Sequence, residues 1–383
     1  MIIVTEGVDL GTLTIELDVV VQNWVAHTRS TDAQVAAVVK ADAYGLGALP
    51  ITAALHKAGC RAFYVATRAE AVELCSITEP ETIYILTPLV DDLPEIWRRG
   101  CIPVLSTLEQ LALWSDLNVS SAQLKASALQ VETGMHRLGV EYKHLASSER
   151  LIKGAGVNMV MSHLACADIP GHELNAAQLS VFRESVALIR VFLPEVKACF
   201  ANSAGFSLGR DYHFDMVRIG ISLYGGCGLA GGLMSADMRI LPQPVVSLSL
   251  PLIQVKSISG DDTVGYGAEG VLPDGGYIAI ALGGYADGLF RGLWPGFIVS
   301  IKGFSVPVIG RVSMDLLALD LTAVPEALCQ SMEREIEPGL CVDILSKRQG
   351  ANELAEAANT ISYEVLTSLG RRYERLYVSQ EVV

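Results

Sequence analysis

Along the first 240 positions, apolar residues come in short β-branched runs separated by amphipathic stretches. The runs are VAAVVKA (35–41), AFYVAT (62–67), TIYILT (82–87), IPVLST (102–107), SALQVE (127–132), NMVMSHLA (158–165), KACFANS (197–203) and MVRIGI (216–221). Between them lie LPITAALHKAG, RAEAVELCS, VDDLPEIWRRG, LEQLALWSD, HLASSERLIKG and LNAAQLSVFRESVALIR, the last with apolar residues at helical spacing. Eight strand-length runs alternating with helices predict an α/β fold, a parallel (β/α)8 TIM-type barrel. An open parallel sheet would satisfy the same periodicity.

After residue 240 the texture changes. VVSLSLPLIQVKSI, GYIAIALGGY, GFIVSIKG, SVPVIGRVSMDLLALDL and LCVDILS are strand-like runs with Gly or Pro turns between them. They predict a C-terminal all-β domain. One helix, ANELAEAANTISYEVLTSLG, is expected to follow them, with Asn352 as its N-cap. The division is therefore residues 10–240 for the barrel and 241–383 for the β domain, with residues 1–9 adding a strand to the second.

Composition narrows the class of function. The chain has 383 residues, of which 51% are hydrophobic and 18% charged, as in a folded globular protein. A formal charge of -14 argues against a nucleic-acid or anionic-membrane surface. No Lys or Arg precedes Arg29, so the basic start of a signal peptide is missing. The uncharged run Ile219 to Ala236 is rich in Gly and is followed by Pro242, Pro244 and Pro251, which suits a loop and linker better than a membrane span. Within it, GCGLAG (226–231) fits GxGxxG, but no helix pattern opens on it and no acidic partner follows at the right distance. Eight cysteines show no CxxC pair and no zinc spacing. They are expected to be reduced thiols in a cytoplasmic protein without a metal site.

In a barrel of this kind reactive groups gather where the strands end. Strand 1 ends on Lys40 and Tyr44, strand 5 runs into Arg137, and strand 6 ends at His163. Strand 7 ends in Asn202-Ser203-Ala204-Gly205, and strand 8 carries Arg218, Gly220 and Ile221. A lysine at a strand end is by default a side chain reaching water. Polar groups converging on one rim are harder to obtain by accident. A lysine beside an anion pocket of a Ser hydroxyl and backbone N–H groups suggests a Schiff base with pyridoxal phosphate. A phosphosugar lyase would use similar groups, with no evident need for the second domain.

KADAYGLG, VETGMHRLGV, SHLACAD, ANSAG, VRIGISLYG, VGYGAEG, GGYADG, GRVSMD and ISYE occur in the order and approximate spacing of bacterial alanine racemases, which the chain resembles over nearly its whole length. The resemblance implies a barrel bearing pyridoxal 5'-phosphate, a C-terminal β domain, and a head-to-tail homodimer with active sites shared between subunits. It implies alanine as substrate and D-alanine for peptidoglycan as the purpose. Lys40 matches the family's cofactor lysine. Tyr44, Ser203, Gly220, Ile221 and Tyr363 match its phosphate contacts, His163 the residue at the pyridine ring, and Arg218 the arginine facing the ring nitrogen. Tyr266 matches the second catalytic base, lent by the partner subunit. Arg137 and the Met314 backbone match the substrate-carboxylate contacts, and Tyr285 and Asp315 border the site.

Racemisation removes a proton from one face of Cα and returns one on the other, so two acid–base groups must flank the reacting carbon. Lys40 and the Tyr266 phenol would serve. An unperturbed phenol has a pKa of about 10 and needs help from its neighbours, which in the family are the histidine and the arginine. Each residue also has an ordinary role: His163 satisfied in a core, Tyr266 packed in a strand, Arg137 a surface cation at a helix start. Two positions depart from the family. Gln130 stands where many members carry a carbamylated lysine that orients the carboxylate-binding arginine; its carbonyl oxygen is expected to be able to accept one bond from Arg137. Glu269 replaces a small polar residue near the entrance. A broader amino-acid racemase, a decarboxylase of the same plan and a non-enzymatic cofactor carrier are the alternatives. The decarboxylase Cys-Asp site has no match here, and the carriers look like the barrel alone.

Overall fold

The computed structural model describes residues 2–4, 10–229 and 240–379. Strands β1 (Ile2–Val4) and β2 (Thr12–Glu16) belong to the C-terminal unit. The barrel follows: β3 (Gln34–Val38), β4 (Phe63–Val65), β5 (Ile83–Ile85), β6 (Ile102–Leu105), β7 (Ser127–Glu132) with the two-residue β8 (Val140–Glu141) beside it, β9 (Val157–Met161), β10 (Lys197–Cys199) and β11 (Met216–Ile219). All these pairings are parallel. The β3–β11 and β6–β7 pairings close the ring of eight, so the barrel expected from the periodicity is present and the open sheet is not.

The strands are buried over most of their length because a parallel barrel covers them on both faces; Gln34, Asn158 and Lys197 are exposed. β4 and β5 have no exposed residue, and Phe63, Tyr64, Ile83 and Ile85 are wholly enclosed. The helices Arg68–Leu74 and Leu108–Ser121 start at Thr67 and Thr107, each closing a reciprocal cap with the acceptor three residues on, Glu70 and Gln110. Helix Leu17–Thr28, which the strand pattern did not single out, precedes β3.

In the C-terminal unit a nine-stranded sheet runs in the order β1, β20 (Glu374–Val378), β2, β12 (Val246–Ile258), β19 (Cys341–Leu345), β16 (Ile298–Ile301), β17 (Phe304–Pro307). Strand β12 has 13 residues: its first half pairs with β2 and β19, its second with β15 (Gly276–Leu282), which in turn pairs with β18 (Leu316–Asp320). A separate hairpin joins β13 (Thr263–Val264) to β14 (Gly270–Val271). Pairing of β1 with β20 brings residues 2–4 into this sheet.

Three expectations need correction. The run 305–321 is two strands, β17 and β18, broken at Gly310, whose φ of 69° no β-branched neighbour would tolerate and where a Cβ would meet the Val264 carbonyl at 2.5 Å. The unit is not all-β, because Glu326–Arg334 is a helix that buries Cys329 and Met332. The single helix over 351–370 is two, Ala351–Ala357 and Ser362–Ser368, and its N-cap is Gly350, whose N–H donates to Glu353 at 2.7 Å. Asn352 instead donates to the Gly225 carbonyl at 3.3 Å. The linker expected within 219–236 lies partly outside the described residues, which omit 230–239. Among the described residues no helix is long and apolar enough to cross a membrane.

Candidate active site

β3 ends at Val38, and Lys40 opens a turn in which Ala41, Asp42, Ala43 and Tyr44 all take left-handed conformations, with φ between 51° and 60°. No glycine occupies these four positions, so each carries a steric cost of about 1–2 kcal/mol. The turn is held by hydrogen bonds: Ala43 N–H to the Val39 carbonyl and Gly47 N–H to the Asp42 carbonyl, both 2.9 Å, Ala48 N–H to Asp42 Oδ1 at 2.7 Å, and Ala41 N–H to Glu70 Oε1 at 2.9 Å. Lys40 is half-buried and its amine makes no hydrogen bond or ion pair among the described residues. Burial pushes its amine below the usual lysine range; the charges of Arg137 and Arg218 push the same way, against the Glu70 carboxylate.

Arg218, on β11, is 3% exposed and forms no ion pair with a carboxylate among the described residues. Its guanidinium is satisfied by carbonyls, Nη2 donating to Ser162 at 2.7 Å and Nη1 to Cys199 at 3.1 Å, with Nη1 also 3.0 Å from Cys199 Sγ. Nη2 lies 3.4 Å from His163 Nδ1. Since Arg can only donate, Nδ1 accepts and the ring proton sits on Nε2. Burial, followed by the charges of Arg218, Arg137 and Lys40, holds His163 neutral, well below the ordinary histidine range. His163 is beyond the end of β9, and a buried amide fixes its backbone: Gln178 donates to the His163 carbonyl at 2.9 Å and to Thr133 Oγ1 at 3.0 Å, and accepts from Ala165 N–H at 2.9 Å. Nothing in the sequence pattern singled out Gln178.

Ser203, Gly220 and Ile221 are buried together just past β10 and β11. Ser203 Oγ accepts from Gly220 N–H at 2.9 Å and more distantly from Ser222 N–H at 3.5 Å, which leaves its proton for another acceptor. Gly220 allows a close approach, because a Cβ there would come within 2.4 Å of the Tyr44 hydroxyl. These residues form a small polar cradle beside the Lys40 turn.

Arg137 is exposed in the loop after β7 and makes no hydrogen bond or ion pair among the described residues, and no helix starts on it. The bond that the Gln130 carbonyl oxygen could accept from Arg137 is not formed. Gln130 is buried, and its Nε2 donates to the Leu138 carbonyl at 3.1 Å, tying down the chain next to Arg137. An amide can donate where a carboxylate cannot, which is why the Gln130 side chain serves the loop backbone.

In the C-terminal unit Tyr266 is not packed in a strand. It occupies the turn between β13 and β14, is 66% exposed, and is flanked by Gly265 and Gly267 at φ 78° and 79°. Glu269 pairs with Arg311 through both carboxylate oxygens, and Arg311 forms a backbone bridge with Tyr266. Met314 is 53% exposed, its carbonyl accepts from Ala286 N–H at 3.0 Å, and its own N–H has no acceptor among the described residues. Arg372 straddles Asp287, at 2.6 and 2.8 Å, and Asp315, at 2.8 Å, so Tyr285 and Asp315 stand on segments tied together. Tyr363, half-buried, is the second residue of helix Ser362–Ser368.

Residues 15–227 match the family described as alanine racemase, N-terminal domain, and residues 245–377 match alanine racemase, C-terminal domain. The chain belongs to the alanine racemase family. A relative from Agrobacterium fabrum named alanine racemase, catabolic, is 40% identical over 374 residues, covering 96% of this chain and 92% of its own. The alanine racemase of Rhodospirillum rubrum is 39% identical over 372 residues, 95% of each. Among solved structures, alanine racemase from Bartonella henselae with covalently bound pyridoxal phosphate has a TM-score of 0.85 at 32% identity, covering 96% of this chain and 99% of that one. The family's two halves correspond to the barrel sequence and to the β-rich sequence that follows it.

Proposed function

We propose that this chain interconverts L- and D-alanine with pyridoxal 5'-phosphate as cofactor, using Lys40 and Tyr266 as its two bases. The carrying observation is the Lys40 amine: partnerless among the described residues, held below the usual lysine range by burial and two guanidinium charges, and set beside a polar cradle at the barrel mouth. The residues fit the cofactor. An amine whose charged form burial disfavours suits attachment to an aldehyde, the Ser203 hydroxyl and the glycine at 220 suit a phosphate, and Arg218 faces no competing carboxylate among the described residues. When bound, pyridoxal phosphate supplies an aldehyde that takes an amino group and a ring that draws electrons from Cα as its proton leaves.

Lys40 would hold the cofactor and, once released from it, move the proton on one face of Cα; the Tyr266 phenol would do so on the other. The family resemblance implies phosphate roles for Tyr44, Ser203, Gly220, Ile221 and Tyr363, and the buried cradle of Ser203 and Gly220 supports the roles of those two. Arg218 cannot readily yield its proton, so it would face the cofactor's ring nitrogen as a donor only and would leave that nitrogen unprotonated. His163, neutral and held at Nδ1 by Arg218, would offer its Nε2–H as the neighbouring donor that the second base needs. Arg137 and the Met314 N–H would bind the substrate carboxylate. Exposure of Tyr266 in its own protomer supports a homodimer in which each subunit lends this phenol to the other. We place the enzyme in the cytoplasm, supplying D-alanine for peptidoglycan.

A chiral assay of purified protein with L-alanine and added cofactor should show D-alanine accumulating, and other amino acids reacting more slowly. A preference for a bulky amino acid would defeat the alanine assignment. In Lys40→Ala the borohydride-fixed cofactor should vanish with the activity; if it persists, another amine carries the cofactor.

A further inference from the structure

Glu70 is the third residue of helix Arg68–Leu74, and its carboxylate serves two backbone segments at once. Oε2 accepts from Ala66 N–H at 2.6 Å and Thr67 N–H at 3.3 Å, while Thr67 Oγ1 accepts from Glu70 N–H at 3.4 Å. This is an ordinary reciprocal cap, which Gln fills as readily as Glu. Oε1 points elsewhere, to Ala41 N–H at 2.9 Å, the first left-handed residue after Lys40. A glutamine has one accepting oxygen, so on one side its NH2 would face an N–H. Capping alone does not call for a carboxylate; bridging two sets of donors does.

The bond lands where it matters. Four left-handed L-residues in a row persist only when the surroundings over-determine them. Bonds among Val39, Asp42, Ala43, Gly47 and Ala48 also hold the turn, from within it and its flanks. The Glu70 bond reaches the turn from the helix Arg68–Leu74, 29 residues further along the chain. Its negative charge also favours the protonated form of the Lys40 amine, against the positive charges of Arg137 and Arg218.

We propose that Glu70 is a positioning residue: its carboxylate fastens the left-handed turn to the helix Arg68–Leu74 and so aims the Lys40 amine. The inference rests on the reading of Lys40 as the reactive amine. The test compares wild type, Glu70→Gln and Thr67→Ala as full chains, with and without cofactor. Amide exchange is followed by mass spectrometry over residues 38–48, and kcat and KM are measured for L-alanine. Glu70→Gln should exchange faster over 38–48 in both forms, and its kcat should fall by about tenfold or more with KM little changed, as a misaimed reactive group requires. Thr67→Ala loses part of the cap alone, so it should melt earlier yet keep slow exchange and kcat. Unchanged exchange and kcat in Glu70→Gln, or equal losses in Thr67→Ala, would overturn the proposal. If the wild type does not racemise alanine the functional reading fails, while the exchange measurement still decides whether Glu70 anchors the turn.

Discussion

His27 shows how one enclosed side chain can tie folding to pH. It is 2% exposed, its Nδ1 donates to the Asn23 carbonyl at 2.7 Å, and Phe206 lies edge-on at 5.0 Å. Burial pushes its pKa down from 6.5 to about 4, opposed by the bond to Asn23 and assisted by the charge of His213. The folded pKa is below the unfolded one, so the unfolded chain binds more protons between these values. This contribution is therefore complete above pH 6.5 and is lost as pH falls towards 4, on the order of 3 kcal/mol in total. Denaturant titrations at several pH values should show His27→Gln less stable at pH 7 and flatter than wild type across that window. At this scale the sequence was informative where a residue sits in a run of distinctive neighbours, as Lys40 does in KADAYGLG. It was silent on Glu70 and Gln178, because a carboxylate at the third helical position and an amide on an amphipathic helix are what any cap or surface would carry. Their partners are far along the chain, 29 residues away for Ala41 and 45 for Thr133.

The eight barrel strands were legible because a strand covered on both faces must be apolar at consecutive positions, as FYV and IYI are. Elements were misjudged where the pattern ran on through a conformational break. The apolar period of 351–370 continues across Asn359, yet Asn359 takes a φ of 54° and separates two helices. Asparagine enters that region more readily than other non-glycine residues, which is the signal that was available. Because Asn359 is exposed, substitution there should act through backbone conformation alone. Asn359→Ala is expected to destabilise by about 1 kcal/mol, with Asn359→Gly nearer to wild type. Thermal melting of the two variants checks this, and equal melting temperatures would mean the break is not held by this residue. The left-handed turn after Lys40 was less legible still: of its four residues, Asp42 alone belongs to a type that favours such geometry, and tertiary bonds impose the rest.

For the whole molecule, the proposed loan of Tyr266 between protomers makes a sharp prediction. Lys40→Ala and Tyr266→Phe should each be nearly inactive alone. Dissociated, mixed and reassociated, they should yield hybrids with one intact site, recovering about a quarter of the wild-type rate if pairing is random. No recovery, in mixtures shown by mass to contain hybrids, would place both bases in one chain. The alternation of strands and helices was legible from periodicity, but the closure of the ring was not, nor was the exposure of Tyr266, Met314 and Tyr285, since a strand-like run does not say which residues fall in its turns. Arg218 carries a last consequence at this scale. From β11 it grips carbonyls of Ser162, just past β9, and of Cys199, the last residue of β10. One guanidinium thus laces three neighbouring staves at the rim, and trimming it to alanine would slacken the wall as well as discharge it. Silence from such a variant would speak of joinery as much as of chemistry.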